Sequence, residues 1–364
     1  MPSPSAILTI DLHAIQQNYR LLVSRAQGAE VGAAVKADAY GLGVGAVSQA
    51  LWAAGARSFF VAQANEAVGL RSHLPNARIF VLNGALPGDI EDIKQAKAIP
   101  MVNSLEQLNL WRSAAEPGAP TALHLDTGMA RLGLSPEEVA VLGQEPERLE
   151  GLEIALVATH PASSEELDSP QNRLQDRRFL EMASALPPAA RQAPRSLANS
   201  SGILNDDLTN GVLVRPGYAL YGGNPCPGQA NIMQRVITLE APILQIRRVP
   251  KGATVGYNAL YVTKQPTRLA TLAIGYAEGY DRKLSNRGRV SIAGRSANVV
   301  GRISMDLTIV DVGAIPQSLC QVGSLATLIG DDPSLEEVAT AAGTIGYELL
   351  ARLGNRLDRR YLGG

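Results

Sequence analysis

Cysteine is nearly absent from this 364-residue chain. Cys226 and Cys320 are the only two, and they cannot form a CxxC motif or a disulfide framework. Reduced thiols in a cytosolic protein are therefore expected, and no metal site. Phenylalanine (4) and tryptophan (2) are scarce beside ten tyrosines. The core must be aliphatic, and the tyrosines, each with a polar handle, need tracking one by one. Neither sign of charge dominates, with 33 basic and 34 acidic residues. That balance removes the electrostatic reason to expect nucleic acid or an anionic membrane as partner. No apolar run reaches the roughly 18 residues of a membrane helix. The start, MPSPSAILTIDLH, lacks the basic and apolar regions of a secretory signal. No GxGxxG follows an early strand, so a dinucleotide fold has no support. These absences leave a soluble cytoplasmic enzyme whose chemistry composition cannot name.

What is present is a rhythm. Apolar β-rich runs alternate with helix-like patterns: VGAAVK (31–36), SFFVA (58–62), RIFVL (78–82), AIPMV (98–102), TALHL (121–125), LEIALVA (152–158), RSLA (195–198) and VLVRP (212–216). Eight strands at that spacing predict an α/β fold whose N-terminal part is a (β/α)8 barrel like the TIM barrel. Ser104 and Ser135 stand where helix N-caps belong, the latter before Pro136. Near residue 235 the rhythm changes to short strands punctuated by Gly, Pro and Asn, which predicts a mainly antiparallel β-rich C-terminal domain. The expected division is a barrel over 11–234 and a β domain over 235–364, with the N-terminal strand (1–10) belonging to the latter. The final stretch starts as a helix and frays into a basic tail, expected to be a solvated face.

In such a barrel, reactive groups cluster where strands end. Strand one ends at Lys36, behind small and apolar residues. Desolvation disfavours its ammonium form and suits it to a Schiff base. Tyr40 follows closely. Asp126 and Arg131 come after strand five, and His160 after strand six. Strand seven runs into Asn199-Ser200-Ser201-Gly202, a hydroxyl-rich turn opening a helix. Strand eight runs into Arg215-Pro216-Gly217-Tyr218. Phosphate sites recur after strands seven and eight, which nominates Ser200 and the Gly217–Tyr218 backbone. A lysine, a phosphate cradle and an arginine at one mouth suggest pyridoxal phosphate. Arg215 as partner of the ring nitrogen would leave that nitrogen unprotonated, a weaker electron sink suited to racemisation over transamination.

AVKADAYGLG, LDTGMARLG, THPASS, ANSSG, RPGYALYGG, VGY, IGYAEGYDR, GRISMD and IGYELLARL span nearly the whole chain. Together they resemble the alanine racemases. The resemblance implies a fold-type III pyridoxal-phosphate enzyme that interconverts L- and D-alanine and supplies D-alanine for peptidoglycan. It also implies a head-to-tail homodimer whose β domain completes the partner's site. On the matching positions, Lys36 is the cofactor-bound lysine and the base on the D side. Tyr257, from the opposite subunit, is the base on the L side; an inversion needs one base on each face. The resemblance places Arg215 at the ring nitrogen with His160 hydrogen-bonded behind it. Tyr40, Ser200, Gly217, Tyr218 and Tyr347 form the phosphate shell, with Asn199 beside them. Arg131 and the partner's Met305 backbone contact the substrate. Tyr276, Arg282, Arg302 and Ile345 line the entry corridor.

One position departs from the pattern. Many members carry a carbamate-bearing lysine seven residues before the equivalent of Arg131, and here it is His124. A neutral imidazole can accept from Arg131 but brings no negative charge. The readings weighed against alanine racemase are a broader amino-acid racemase acting, for example, on serine, a noncatalytic pyridoxal-phosphate-binding protein, and a fold-type III decarboxylase. Tyr257 argues against the carrier, and arginine at 215 against the decarboxylase.

Overall fold

The computed structural model describes residues 5–204 and 211–363. Its first part is the expected barrel. The first strand is split into Glu30–Val31 and Ala33–Ala34. Six more follow: Ser58–Val61, Arg78–Val81, Ile99–Val102, Ala119–His124, Leu152–Ala158 and Arg195–Ser196. Each is parallel to the strand before it. The eighth, Leu213–Val214, pairs in parallel with Glu30–Val31. Arg215 N donates to Ala198 O on its other side and closes the ring. Ser58–Val61 and Ile99–Val102 are buried along their whole length. Burial on both faces is why these strands read as unbroken apolar runs. Phe60 and Phe80, stacked 4.8 Å apart, fill the interior with Ile99, Met101, Ala122 and Leu156.

Helices sit between the strands at the expected places. Ser104 caps Leu105–Ala114 through Gln107 N. Ser135 and Glu138 form a reciprocal capping box on Pro136–Gln144. The helix expected after Ser201 is a single 3-10 turn, Gly202–Leu204, and residues 205–210 lie outside the described part.

The second part is a closed antiparallel ring. Ile237–Val249 pairs with Thr267–Leu272, and the order continues through Thr308–Asp311, Arg295–Val299, Arg289–Ile292 and Leu325–Ile329 back to Ile237–Val249. Ile237, Leu239, Ala241 and Ile243 point inward in strict alternation. Ile7–Asp11 adds to the outside of this ring by pairing antiparallel with Ile237–Glu240. The basic tail is a correction. Instead of fraying, Asp358–Leu362 is a strand parallel to Ile7–Asp11. Its arginines are not a purely solvated face either: Arg359 donates to Gly41 O and Leu353 O, and Arg356 pairs with Glu278 and Asp306. Cys226 and Cys320 are both free and buried. Among the described residues no helix is long and apolar enough to cross a membrane, and no cluster of His, Cys, Asp and Glu could hold a metal ion.

Candidate active site

A cavity of about 430 Å³ opens at the C-terminal mouth of the barrel. It gathers Lys36, Tyr40, Arg131, His160, Asn199, Ser200, Arg215, Gly217 and Tyr218 from the ends of the strands, and Tyr347 from the helix Gly346–Ala351.

The first strand stops at Ala34, two residues short of the sequence expectation, because the chain then reverses hand. Ala37, Asp38, Ala39 and Tyr40 form one turn of left-handed helix, with φ between 53° and 57°. For residues with a Cβ this costs about 1–2 kcal/mol each. The turn is held by charge. Glu66 Oε1 accepts from Ala37 N (2.6 Å), while Oε2 accepts from Ala62 N (2.7 Å) and Gln63 N (3.0 Å). Asp38 Oδ1 accepts from Val44 N at 2.7 Å. Gly41 is required where the turn meets the second domain, since a Cβ there would lie 2.5 Å from Leu350 O. The result turns Lys36 and the Tyr40 ring into the cavity.

Burial and the Arg131 charge lower the pKa of Lys36, with Glu66 opposing them. Arg215 is fully buried, and desolvation lowers it to about 10, so it stays a cation. It donates to Ser196 Oγ, Thr159 O and Leu197 O, which leaves its Nε–H and one Nη1–H uncommitted. The expected bond from the His160 ring to Arg215 is not there. Gln175 Nε2 donates to the His160 carbonyl, and burial together with Arg215 keeps the ring well below its usual pKa.

Ser200 Oγ accepts from Gly217 N (3.0 Å) and Ala219 N (3.2 Å), and its own hydrogen remains to donate. A Cβ on Gly217 would overlap the Tyr40 hydroxyl. The Tyr218 and Tyr347 rings stack with centroids 3.9 Å apart, and Tyr40 leans on Tyr221 at 4.7 Å. Tyr218 Oη donates to Glu336 and Tyr221 Oη to Ala34 O. The Tyr40 and Tyr347 hydroxyls line the same cavity and have no partner among the described residues. Burial raises both phenols, Tyr40 to about 12, so they are donors at neutral pH.

The other nominated residues lie elsewhere on this chain. Tyr257 and Arg302 line a separate cavity of about 610 Å³ on the β domain. Tyr276 and Met305 are neighbours, joined through backbone bonds from Tyr276 N to Ser304 O and Ala277 N to Met305 O. Arg282 and Ile345 are exposed. None of the six lines the Lys36 cavity. Glu66 and Tyr221 were not singled out by the sequence reading. The spacing Gln63-x-x-Glu66 was the available signal for Glu66.

An amine, a buried guanidinium and free phenols converging in one barrel mouth, beneath a β domain, define a site built to hold an anionic, electron-poor cofactor. Model matches cover both parts: the N-terminal domain of alanine racemase over residues 10–225 and its C-terminal domain over 236–361. An alanine racemase of Acidiphilium cryptum is 46% identical over 97% of this chain and 97% of its own length. A protein of Agrobacterium fabrum named alanine racemase, catabolic, is 44% identical over 98% of this chain and 92% of its own. The crystal structure of alanine racemase from Bartonella henselae with covalently bound pyridoxal phosphate superposes with a TM-score of 0.93 at 38% identity. That match covers 99% of this chain and 100% of the other. The chain belongs to the alanine racemase family.

Proposed function

We propose that this protein is an alanine racemase that binds pyridoxal phosphate through Lys36 and completes its site with the partner subunit's Tyr257. The observation that carries the reading is the single cavity in which Lys36, the unpartnered Tyr40 and Tyr347 hydroxyls, Ser200 and the uncommitted N–H groups of Arg215 meet. These groups fit the cofactor. Ser200, the Gly217–Tyr218 backbone, Tyr40 and Tyr347 would hold the phosphate, and Arg215 the ring nitrogen. Pyridoxal phosphate, when bound, withdraws electrons from the amino-acid Cα and loosens its proton.

The chain's residues supply the rest. Lys36 Nζ, desolvated and lowered in pKa, takes or returns the proton on the D side. The partner subunit's Tyr257 Oη does so on the opposite face. Arg131, exposed at the rim, contacts the substrate carboxylate together with the partner subunit's Met305 backbone. Tyr276, Arg282, Arg302 and Ile345 would form the approach. We place the product, D-alanine, in peptidoglycan synthesis; the catabolic name of the Agrobacterium relative supports the opposite direction of use.

A racemisation assay over a panel of amino acids tests the reading, with alanine expected to be the best substrate. The holoenzyme should show a visible absorbance that Lys36→Ala abolishes. A colourless wild type saturated with cofactor would overturn the site. Tyr257→Phe should impair proton removal from L-alanine far more than from D-alanine, and equal loss in both directions would refute the assigned faces.

A further inference from the structure

Two phenols stand face to face on the strand-eight side of the cavity, and only one is free to bind. The Tyr218 and Tyr347 rings lie 3.9 Å apart between centroids and 17° from parallel. They arrive from different parts of the molecule, Tyr218 from the 3-10 turn after the eighth barrel strand and Tyr347 from the helix Gly346–Ala351. Tyr218 is buried, and its ring occupies a slot that two glycines leave open. A Cβ on Gly223 would overlap the ring carbons, and one on Gly346 would overlap the hydroxyl. The slot ends at Glu336, on the helix Leu335–Ala342. Its Oε1 accepts from Tyr218 Oη at 3.4 Å and from Asn224 N at 2.8 Å.

A phenol has one hydrogen to donate, and Tyr218 gives its own to Glu336. The Tyr347 hydroxyl lines the cavity and has no partner among the described residues. Its ring has Tyr218 against one face, with the Tyr40 ring 6.3 Å away and tilted by 44°. A change of χ1 rotamer would swing the Tyr347 hydroxyl out of the cavity. Face contact with a ring that is itself pinned opposes that swing.

We propose that Tyr218 is a positioning residue for the cofactor phosphate. Its ring, pinned by Gly223, Gly346 and Glu336, holds the Tyr347 hydroxyl on a phosphate oxygen and so makes the site prefer pyridoxal phosphate to phosphate-free pyridoxal. The proposal rests on the reading of this cavity as a pyridoxal phosphate site. The Tyr218 backbone stays in the phosphate cradle, while the side chain acts through Tyr347.

The test titrates the full-length protein, freed of cofactor, with pyridoxal phosphate and with pyridoxal, following the visible absorbance each gains with Lys36. Tyr218→Met fills the slot without a ring. It and Tyr347→Phe should each weaken pyridoxal phosphate about tenfold, the loss of one hydrogen bond to a charged group, and leave pyridoxal unchanged. In the Tyr347→Phe background Tyr218→Met should add nothing. Tyr218→Phe and Glu336→Ala keep the stack and lose only its anchor, so each should cost about threefold, again for pyridoxal phosphate alone. These two milder variants decide the matter if Tyr218→Met does not fold. Equal weakening of both aldehydes, an unchanged ratio between them, or additive losses in the double variant would overturn the proposal. If the wild type gained visible absorbance with neither aldehyde, the cofactor reading itself would fall. If the wild type prefers pyridoxal phosphate and the variants keep that preference, only the positioning role falls.

Discussion

Burial, more than partner charges, sets the ionisation of the basic groups around the cavity. Lys36, His124, His160 and Arg215 are all shifted toward their neutral forms, with desolvation the leading cause in each. For His124 the consequence for stability has a definite sign. Between its unfolded pKa of about 6.5 and its folded value of about 4, the unfolded chain binds a proton that the folded chain refuses. Stability must fall as pH drops through that window and level off below it. Full titration corresponds to about 3 kcal/mol, with His160 adding in the same direction. Urea unfolding at pH 7, 6 and 5 should show the decline, and His124→Gln should flatten it; an identical slope in the variant would contradict the assignment. A steric argument concerns Gly217, where an added Cβ would overlap the Tyr40 hydroxyl. Gly217→Ala should displace that ring and weaken pyridoxal phosphate by about tenfold, near 1.4 kcal/mol, in a fluorescence titration.

The left-handed turn after Lys36 shows how a local element can be strained and still stable. Four residues with positive φ are balanced by the three N–H groups that Glu66 accepts. In Glu66→Gln one of those N–H groups would face an amide NH2. The expected loss is about 1–3 kcal/mol in denaturant unfolding, with slower recovery of visible absorbance when apoenzyme is reloaded. Ala37→Gly, which relieves one left-handed residue, should stabilise by up to about 1 kcal/mol. This turn also marks where sequence reading stops. Barrel strands such as SFFVA and AIPMV are legible because burial on both faces leaves almost no polar residue in them. The Lys36, Ser200 and Arg215 positions follow from strand ends. No glycine precedes Gly41 in KADAYG to announce positive φ, so the run reads as a strand end and a loop. The strand Asp358–Leu362 is hidden for another reason. Its partner, Ile7–Asp11, is at the other end of the chain, and its arginines resemble a solvated tail until that pairing is seen. Likewise, Asn103 and His124 lie on neighbouring barrel strands, 21 residues apart, and only the parallel register brings them together.

One chain by itself presents an incomplete picture of the proposed chemistry. Lys36 faces its own barrel mouth, whereas Tyr257 is 67% exposed, Met305 52% and Ile345 62%, on surfaces that do not line that mouth. Leu260, Val262, Tyr276 and Leu307 are exposed as well. Large apolar and aromatic side chains accumulated on one chain's surface are what an association surface leaves uncovered. A twofold pairing in which each β domain faces the other barrel would cover them and bring the second base to Lys36. The arrangement makes a sharp prediction for mixed subunits. Lys36→Ala and Tyr257→Phe homodimers should each be nearly inactive in racemisation. If each site takes its lysine from one chain and its tyrosine from the other, a mixed dimer contains one site with both substitutions and one with neither. Random reassortment makes about half the dimers mixed, so about a quarter of all sites should be intact. Co-refolding the two variants, or exchanging their subunits at low protein concentration, should therefore restore about a quarter of wild-type activity. If Lys36 and Tyr257 instead acted within one chain, every chain in the mixture would carry a damaged site, and mixing would restore nothing.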